Sequence, residues 1–203
     1  MKVLVACEQS GAVRDAFLAL GHDAVSCDLL PTEVEGPHIT GDVLKVIQGP
    51  AAGWDLMIAF PPCTHLASSG AKWFAGKRAD GRQQQAMDFV RALMDAPIPR
   101  IAIENPVGII STQIRKPDQI IQPYHHGDPH TKTTCLWLKG LPLLTPTKVV
   151  SKGKRHITKS GRSLPDWYNL PPSEDRWKIR SRTFPGIAAA MADQWTRRGI
   201  KKQ

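Results

Sequence analysis

The first 140 residues alternate short apolar runs with amphipathic stretches, and this alternation constrains the fold more than any other feature. Residues 2–6 read as a strand, and 10–20 as a helix whose apolar side carries Val13, Phe17, Leu18 and Leu20. Gly21 stops that helix, and 23–28 form a second strand ending on Asp28. Gly41-Asp42-Val43 closes a short third strand, and 54–60 are a fourth, fully apolar after Asp55 as a strand buried on both faces should be. A helix at 83–94 and strands at 100–104 and 133–138 complete the series. The pattern predicts an α/β fold with a mainly parallel sheet flanked by helices. Ligands in such sheets bind beyond the carboxyl ends of the strands, where strand order reverses.

A chain of 203 residues fits one domain with a small appendage and buries a core large enough to need no disulfide or structural metal. Its four cysteines, Cys7, Cys27, Cys63 and Cys135, form no CxxC pair, which suits a reducing compartment. No apolar run approaches the roughly 20 residues that span a bilayer. The apolar start is too brief for a signal sequence and ends at the acidic Glu8. A cytoplasmic location is therefore expected, with no membrane and no obligate protein partner.

The net charge of +9 is unevenly placed. Residues 1–147 carry 13 Lys/Arg against 14 Asp/Glu, whereas 148–203 carry 14 against 4. A neutral body with a basic C-terminal quarter points to a polyanion, nucleic acid first, although a solvated basic surface has the same composition. Three regions follow: an α/β core at 1–140, a basic, proline-rich segment at 141–182, and a helix returning to the core within 183–203, apolar at Ile187, Ala188, Met191 and Trp195.

The chemically active residue types gather at predicted strand ends. After the first strand, Cys7-Glu8-Gln9-Ser10-Gly11 offers a tight turn and the N–H groups of the next helix. Asp28 at the second strand end is placed for ribose hydroxyls, or equally for a turn. The fourth strand runs into Phe60-Pro61-Pro62-Cys63, where two prolines stiffen the loop and aim the cysteine. Thiolate is the reactive form, so a nucleophilic role for Cys63 requires a proton acceptor or a lowered pKa. The fifth strand ends in Glu104-Asn105-Pro106, and a carboxylate there requires a partner or a task. His125, His126, His130 and Cys135 fit no standard zinc spacing, and no metal is assigned to them. Trp73 and Phe74, with Lys72, Lys77 and Arg78, suit either nucleic-acid contact or a lid over the pocket. Lys154, Arg155, Lys178 and Arg180, near Trp167, Tyr168 and Trp177, suit either base stacking beside phosphates or the packing of a small domain.

In this order the motifs resemble the DNA (cytosine-5-)-methyltransferases, in particular the short, compact relatives often encoded by phages. Residues 55–63 resemble the nucleophile motif, Glu104-Asn105-Pro106-Val107 the motif of the catalytic Glu, and Gly41-Asp42-Val43 the acidic turn that holds the cofactor's adenine amine. Arg182-Thr183-Phe184-Pro185-Gly186-Ile187-Ala188 stands where the last family motif closes the cofactor site. The resemblance implies a Rossmann-like, S-adenosylmethionine-dependent methyltransferase. Its cofactor would meet Glu8, Ser10, Gly11, Asp28, Asp42, Phe60 and Pro61, and its DNA would meet Lys72, Arg78, Lys154, Arg155, Lys178 and Arg180. The family's glycine-rich loop is replaced here by Ala6-Cys7-Glu8-Gln9-Ser10-Gly11. Its Gln-x-Arg-x-Arg segment is replaced by His130-Thr131-Lys132-Thr133-Thr134, with Lys132 standing for the missing arginine.

The implied reaction adds Cys63 to C6 of a cytosine extruded from the helix, with Glu104 stabilising the ring and Asn105 orienting its neighbours. The reduced recognition segment leaves two alternatives: the same chemistry, or transfer of a modified group, on free deoxycytidine nucleotides, and a non-catalytic nucleic-acid-binding protein on this scaffold. Retention of both Cys63 and Glu104 speaks against the second.

Overall fold

The computed structural model describes residues 1–49 and 53–197. The core elements are β1 (Lys2–Ala6), α1 (Ala12–Ala19), β2 (Asp23–Asp28), β3 (His38–Thr40), α2 (Val43–Gln48) and β4 (Leu56–Ala59). A 3-10 turn (Ser68–Trp73) leads into α3 (Phe74–Ala79) and α4 (Arg82–Met94). Then come β5 (Ile101–Pro106), α5 (Ile110–Gln113), β6 (Gln119–Ile121) and β7 (Thr134–Lys139). The chain continues through β8 (Arg155–Ile157), β9 (Ser163–Pro165), α6 (Arg176–Ser181) and α7 (Pro185–Thr196).

Seven strands form one sheet in the order β3-β2-β1-β4-β5-β7-β6. Pairs from β3 to β5 are parallel, and β7 runs antiparallel to both β5 and β6. The central strands alternate strictly: Val3 and Val5 face one layer, Leu4 and Ala6 the other. On the first face α1 and α7 pack through Val13, Phe17, Ile187, Met191 and Trp195. On the second, α2 and α4 contribute Val43, Ile47, Met87, Val90 and Leu93. Both faces are thus dry, which is why the central strands read as continuous apolar runs. This is the Rossmann-like α/β architecture expected from the sequence, a mainly parallel sheet flanked by helices. Its order reverses between β1 and β4, so the ends of these strands frame the cleft.

Local boundaries differ from the sequence reading for physical reasons. Ser10 and Gly11 are not helical: Gly11 takes φ 73°, a left-handed conformation natural to glycine, and α1 begins at Ala12. Asp42 caps α2, accepting from Leu44 N–H, and Val43 opens that helix instead of closing β3. Trp54 precedes β4 and packs into the core with the Lys2 ammonium over its ring. Segment 141–182 holds the two-stranded β8–β9 sheet and α6, while Leu144 at its start is buried in the α1/α7 layer. The end of the expected C-terminal region, 198–203, lies outside the described residues. Among the described residues no helix is long and apolar enough to cross a membrane.

Candidate functional site

The loop after β4 is anchored on both sides. Phe60 N–H donates to Ala6 C=O at 2.9 Å, and the Pro61 carbonyl accepts from Asn105 Nδ2 at 2.7 Å. The Cys63 carbonyl then accepts from Leu66 and Ala67 N–H at 3.0 and 2.9 Å, winding the chain into a turn. That turn is bound to the segment after β5, through Ser68 N–H to Val107 C=O and Ile109 N–H to Leu66 C=O, both 2.9 Å. Gly108 makes the approach possible, since a Cβ there would lie 2.1 Å from the Leu66 carbonyl oxygen. Gly108→Ala is therefore expected to cost about 1–3 kcal/mol by overpacking and to disturb the Cys63 turn. Chemical denaturation checks the first effect, and the alkylation rate of Cys63 the second.

Cys63 is exposed, but the surrounding protein removes enough water to push its thiol above the usual range, and the Glu104 carboxylate pushes it further. Its own backbone N–H, Lys132 and Arg180 act in the opposite direction. Burial likewise raises Glu104 above the ordinary carboxyl range, against the Lys132 charge and a hydrogen bond from Thr134. Asn105 is buried beside it, and among the described residues its Oδ1 has no partner. The fold therefore brings together Cys63, Glu104, Asn105 and Lys132, although Lys132 lies 69 positions after Cys63.

A second group lies across the reversal point. The buried Glu8 carboxylate accepts from Val13 N–H at 2.7 Å, Arg14 N–H at 3.2 Å and Ser10 Oγ at 3.3 Å. Burial pushes this carboxyl above the ordinary range, against those hydrogen bonds, and it occupies the N-terminus of α1 from within the chain. Cys7, with φ 58°, is pushed up to about 12, first by burial and then by the nearby Asp28, Cys27 and Asp42. Asp28 and Asp42 each use Oδ1 locally, on Leu30 and Leu44 N–H at 2.9 Å. Both carboxylates lie near enough to Cys7 to disfavour its thiolate, which makes this end of the sheet electronegative.

The residues expected to meet nucleic acid are distributed over the 3-10 turn, α3, the start of β8 and α6. Lys72 stacks its ammonium 4.9 Å from the centroid of the exposed Trp73 ring, and Arg78 is exposed on α3. Lys154 is exposed before β8, and Arg155 bonds across the hairpin to Ser163. On α6, Lys178 pairs with Asp175 at 3.2 Å, and Arg180 stacks 5.8 Å from the Tyr168 centroid. Trp167 is not an open platform: it packs on Phe184 and His130, with centroids 4.8 and 5.6 Å away. The Trp177 side chain lies outside the described residues. Among the described residues no group of three or more His, Cys, Asp or Glu is placed to hold a metal ion.

Two participants escape local sequence reading. Thr134 bonds to Glu104 only because β7 pairs antiparallel with β5. Glu33, in the β2–β3 connection, pairs with Arg182, 149 positions away. Nothing in the neighbourhood of either residue signals these contacts.

No family model and no curated protein matches the sequence. Among solved structures the chain is similar to one described provisionally as a DNA modification methyltransferase encoded within a prophage (E. coli), at 16% identity and a TM-score of 0.48. The match covers 73% of this chain and 51% of that one, so this chain spans about half the length of that protein.

Proposed function

We propose that this chain is a methyltransferase that carries a methyl group from S-adenosylmethionine to carbon 5 of cytosine in DNA. The observation that supports it most directly is the joining of Cys63, Glu104 and Lys132 at one end of the sheet, with Glu104 biased toward its neutral form. The residues around Cys7 fit S-adenosylmethionine better than a dinucleotide. The α1 N–H groups that would bind a pyrophosphate already hold Glu8, and Asp28 and Asp42 suit hydroxyls, an amine and positive charge. Glu8, Ser10, Gly11, Asp28, Asp42, Phe60 and Pro61 would hold that cofactor, which supplies an electrophilic methyl group when bound.

The chain's own residues do the remainder. Cys63 as thiolate adds to C6 of cytosine, and the displaced electron pair makes C5 nucleophilic. Neutral Glu104 donates a hydrogen bond to N3 and stabilises charge developing on the ring. Loss of the C5 proton after transfer breaks the Sγ–C6 bond and frees Cys63. Lys132 offers positive charge to both partners, and Asn105 holds the two strand ends in register through Pro61. Arg180, Lys178, Lys154, Arg155, Lys72 and Arg78 would meet the phosphate backbone.

Incubation with DNA and labelled S-adenosylmethionine, followed by nucleoside analysis, tests this reading. Label in 5-methyldeoxycytidine is the expected result. Label appearing only when dCMP or dCTP replaces DNA would overturn DNA as substrate. That second reading draws on the small size of the basic segment, a hairpin and short helices.

A further inference from the structure

The Lys132 ammonium donates to two main-chain carbonyls at the end of α6, those of Arg180 at 3.0 Å and Arg182 at 3.4 Å. It also lies 5.8 Å from the Phe184 ring centroid and 5.9 Å from that of Trp167. Its location therefore depends on where α6 ends. That helix has six residues, too few to hold itself in place. Arg182 fixes its end: Nε reaches Glu33 Oε2 at 3.0 Å, and Nη2 bonds the same oxygen. The Glu33 side chain is 16% exposed, and its backbone is firmly set, with N–H donating to Gln9 C=O at 2.7 Å. The Thr32 hydroxyl donates to the same carbonyl at 3.2 Å. Beneath this loop the fully buried Arg14 donates to Thr32 Oγ1 at 3.2 Å and Glu35 C=O at 3.1 Å.

We propose that the Glu33–Arg182 ion pair is a positioning latch, tying the end of α6 to the β2–β3 connection and thereby holding the Lys132 ammonium beside Cys63 and Glu104. Neither Glu33 nor Arg182 touches the reacting atoms; both act through Lys132. A half-exposed ion pair contributes little to stability, so the effect of the latch is geometric. The inference rests on Cys63 as the nucleophile of the proposed reaction. It does not depend on the identity of the substrate.

The thiol itself reports the position of the lysine. Cys63 is faced by Glu104 from β5, Lys132 from the approach to β7 and Arg180 from α6. Moving Lys132 away removes a cation that favours thiolate, so the thiolate fraction at a given pH falls. The experiment measures Cys63 alkylation by iodoacetamide against pH, read by mass spectrometry of the Cys63 peptide. Wild type is compared with Glu33→Gln, Glu33→Asp, Lys132→Met and the Glu33→Gln/Lys132→Met double variant. We expect both Glu33→Gln and Lys132→Met to move the profile to higher pH and slow alkylation at neutral pH by roughly 3–10-fold. Glu33→Asp should stay near wild type, and the double variant should match Lys132→Met alone. A Glu33→Gln or Lys132→Met profile that superimposes on wild type overturns the latch, as does a double-variant shift that is the sum of the two. Should Glu33→Gln fold poorly, Arg182→Gln at the exposed end of the pair gives the same comparison. Alkylation needs neither cofactor nor DNA. Absence of methyl transfer in the wild type would therefore sink the proposed function, whereas superimposed alkylation profiles would sink the latch, so the two failures are distinguishable.

Discussion

Cys63→Ala is expected to abolish covalent capture of DNA containing 5-fluorocytosine and to lower methyl transfer by at least about a thousandfold. Fluorine at C5 cannot leave as a proton does, so a Cys63–C6 adduct accumulates only if the thiolate attacks. Removing the nucleophile removes the route and not merely a contact. The residue is exposed on its turn, and the turn is held by main-chain bonds that alanine preserves. Thermal melting of the variant should therefore match the wild type. A captured complex in Cys63→Ala would move the nucleophile to another group. Because burial raises the thiol, capture by the wild type should also accelerate with pH until the thiolate is fully formed.

Glu104→Gln is expected to have the second large effect, a fall in transfer of about 10²–10⁴-fold, since an amide cannot take and give the proton at N3. Stability should move the other way. Burial raises the Glu104 carboxyl in the folded protein. Its contribution to stability is therefore fully present below the ordinary carboxyl pKa and is lost as pH rises through the folded value. Gln never ionises, so Glu104→Gln should melt at or above wild type at neutral pH, and the difference should close in acid. Thermal melts across pH, paired with transfer assays, test both parts. A variant that loses activity while melting lower at neutral pH would make Glu104 a structural acid.

The central strands are legible because burial on both faces leaves an unbroken apolar run, as in residues 56–60 and 101–103. Strand β2 matches its expected bounds, 23–28, because Gly21 and Asp28 bracket it. Strand β6 leaves no such trace: three residues at the edge of the sheet carry too little pattern to register. Helix α2 was hidden because its six residues follow a turn whose Asp reads equally as a strand end. At the site, Cys63, Glu104 and Asn105 were visible from the prolines and strand ends around them. Lys132 could be named only through the family resemblance, and Glu33 not at all. The position of Lys132 depends on α6, whose segment has no periodicity to read, and Glu33 joins it only through the distant Arg182.

The carboxylate of Glu8 also decides which small molecules this cleft ignores. Many α/β proteins leave the first helix end open and depend on a phosphate to complete it. Here the helix end is already occupied from within the chain, so α1 is whole before any ligand arrives. Abundant nucleotides, pyrophosphate and inorganic phosphate therefore find no vacant anion hole at that helix to compete for. What stands in their place is the Glu8 side chain, already seated on the Val13 and Arg14 N–H groups.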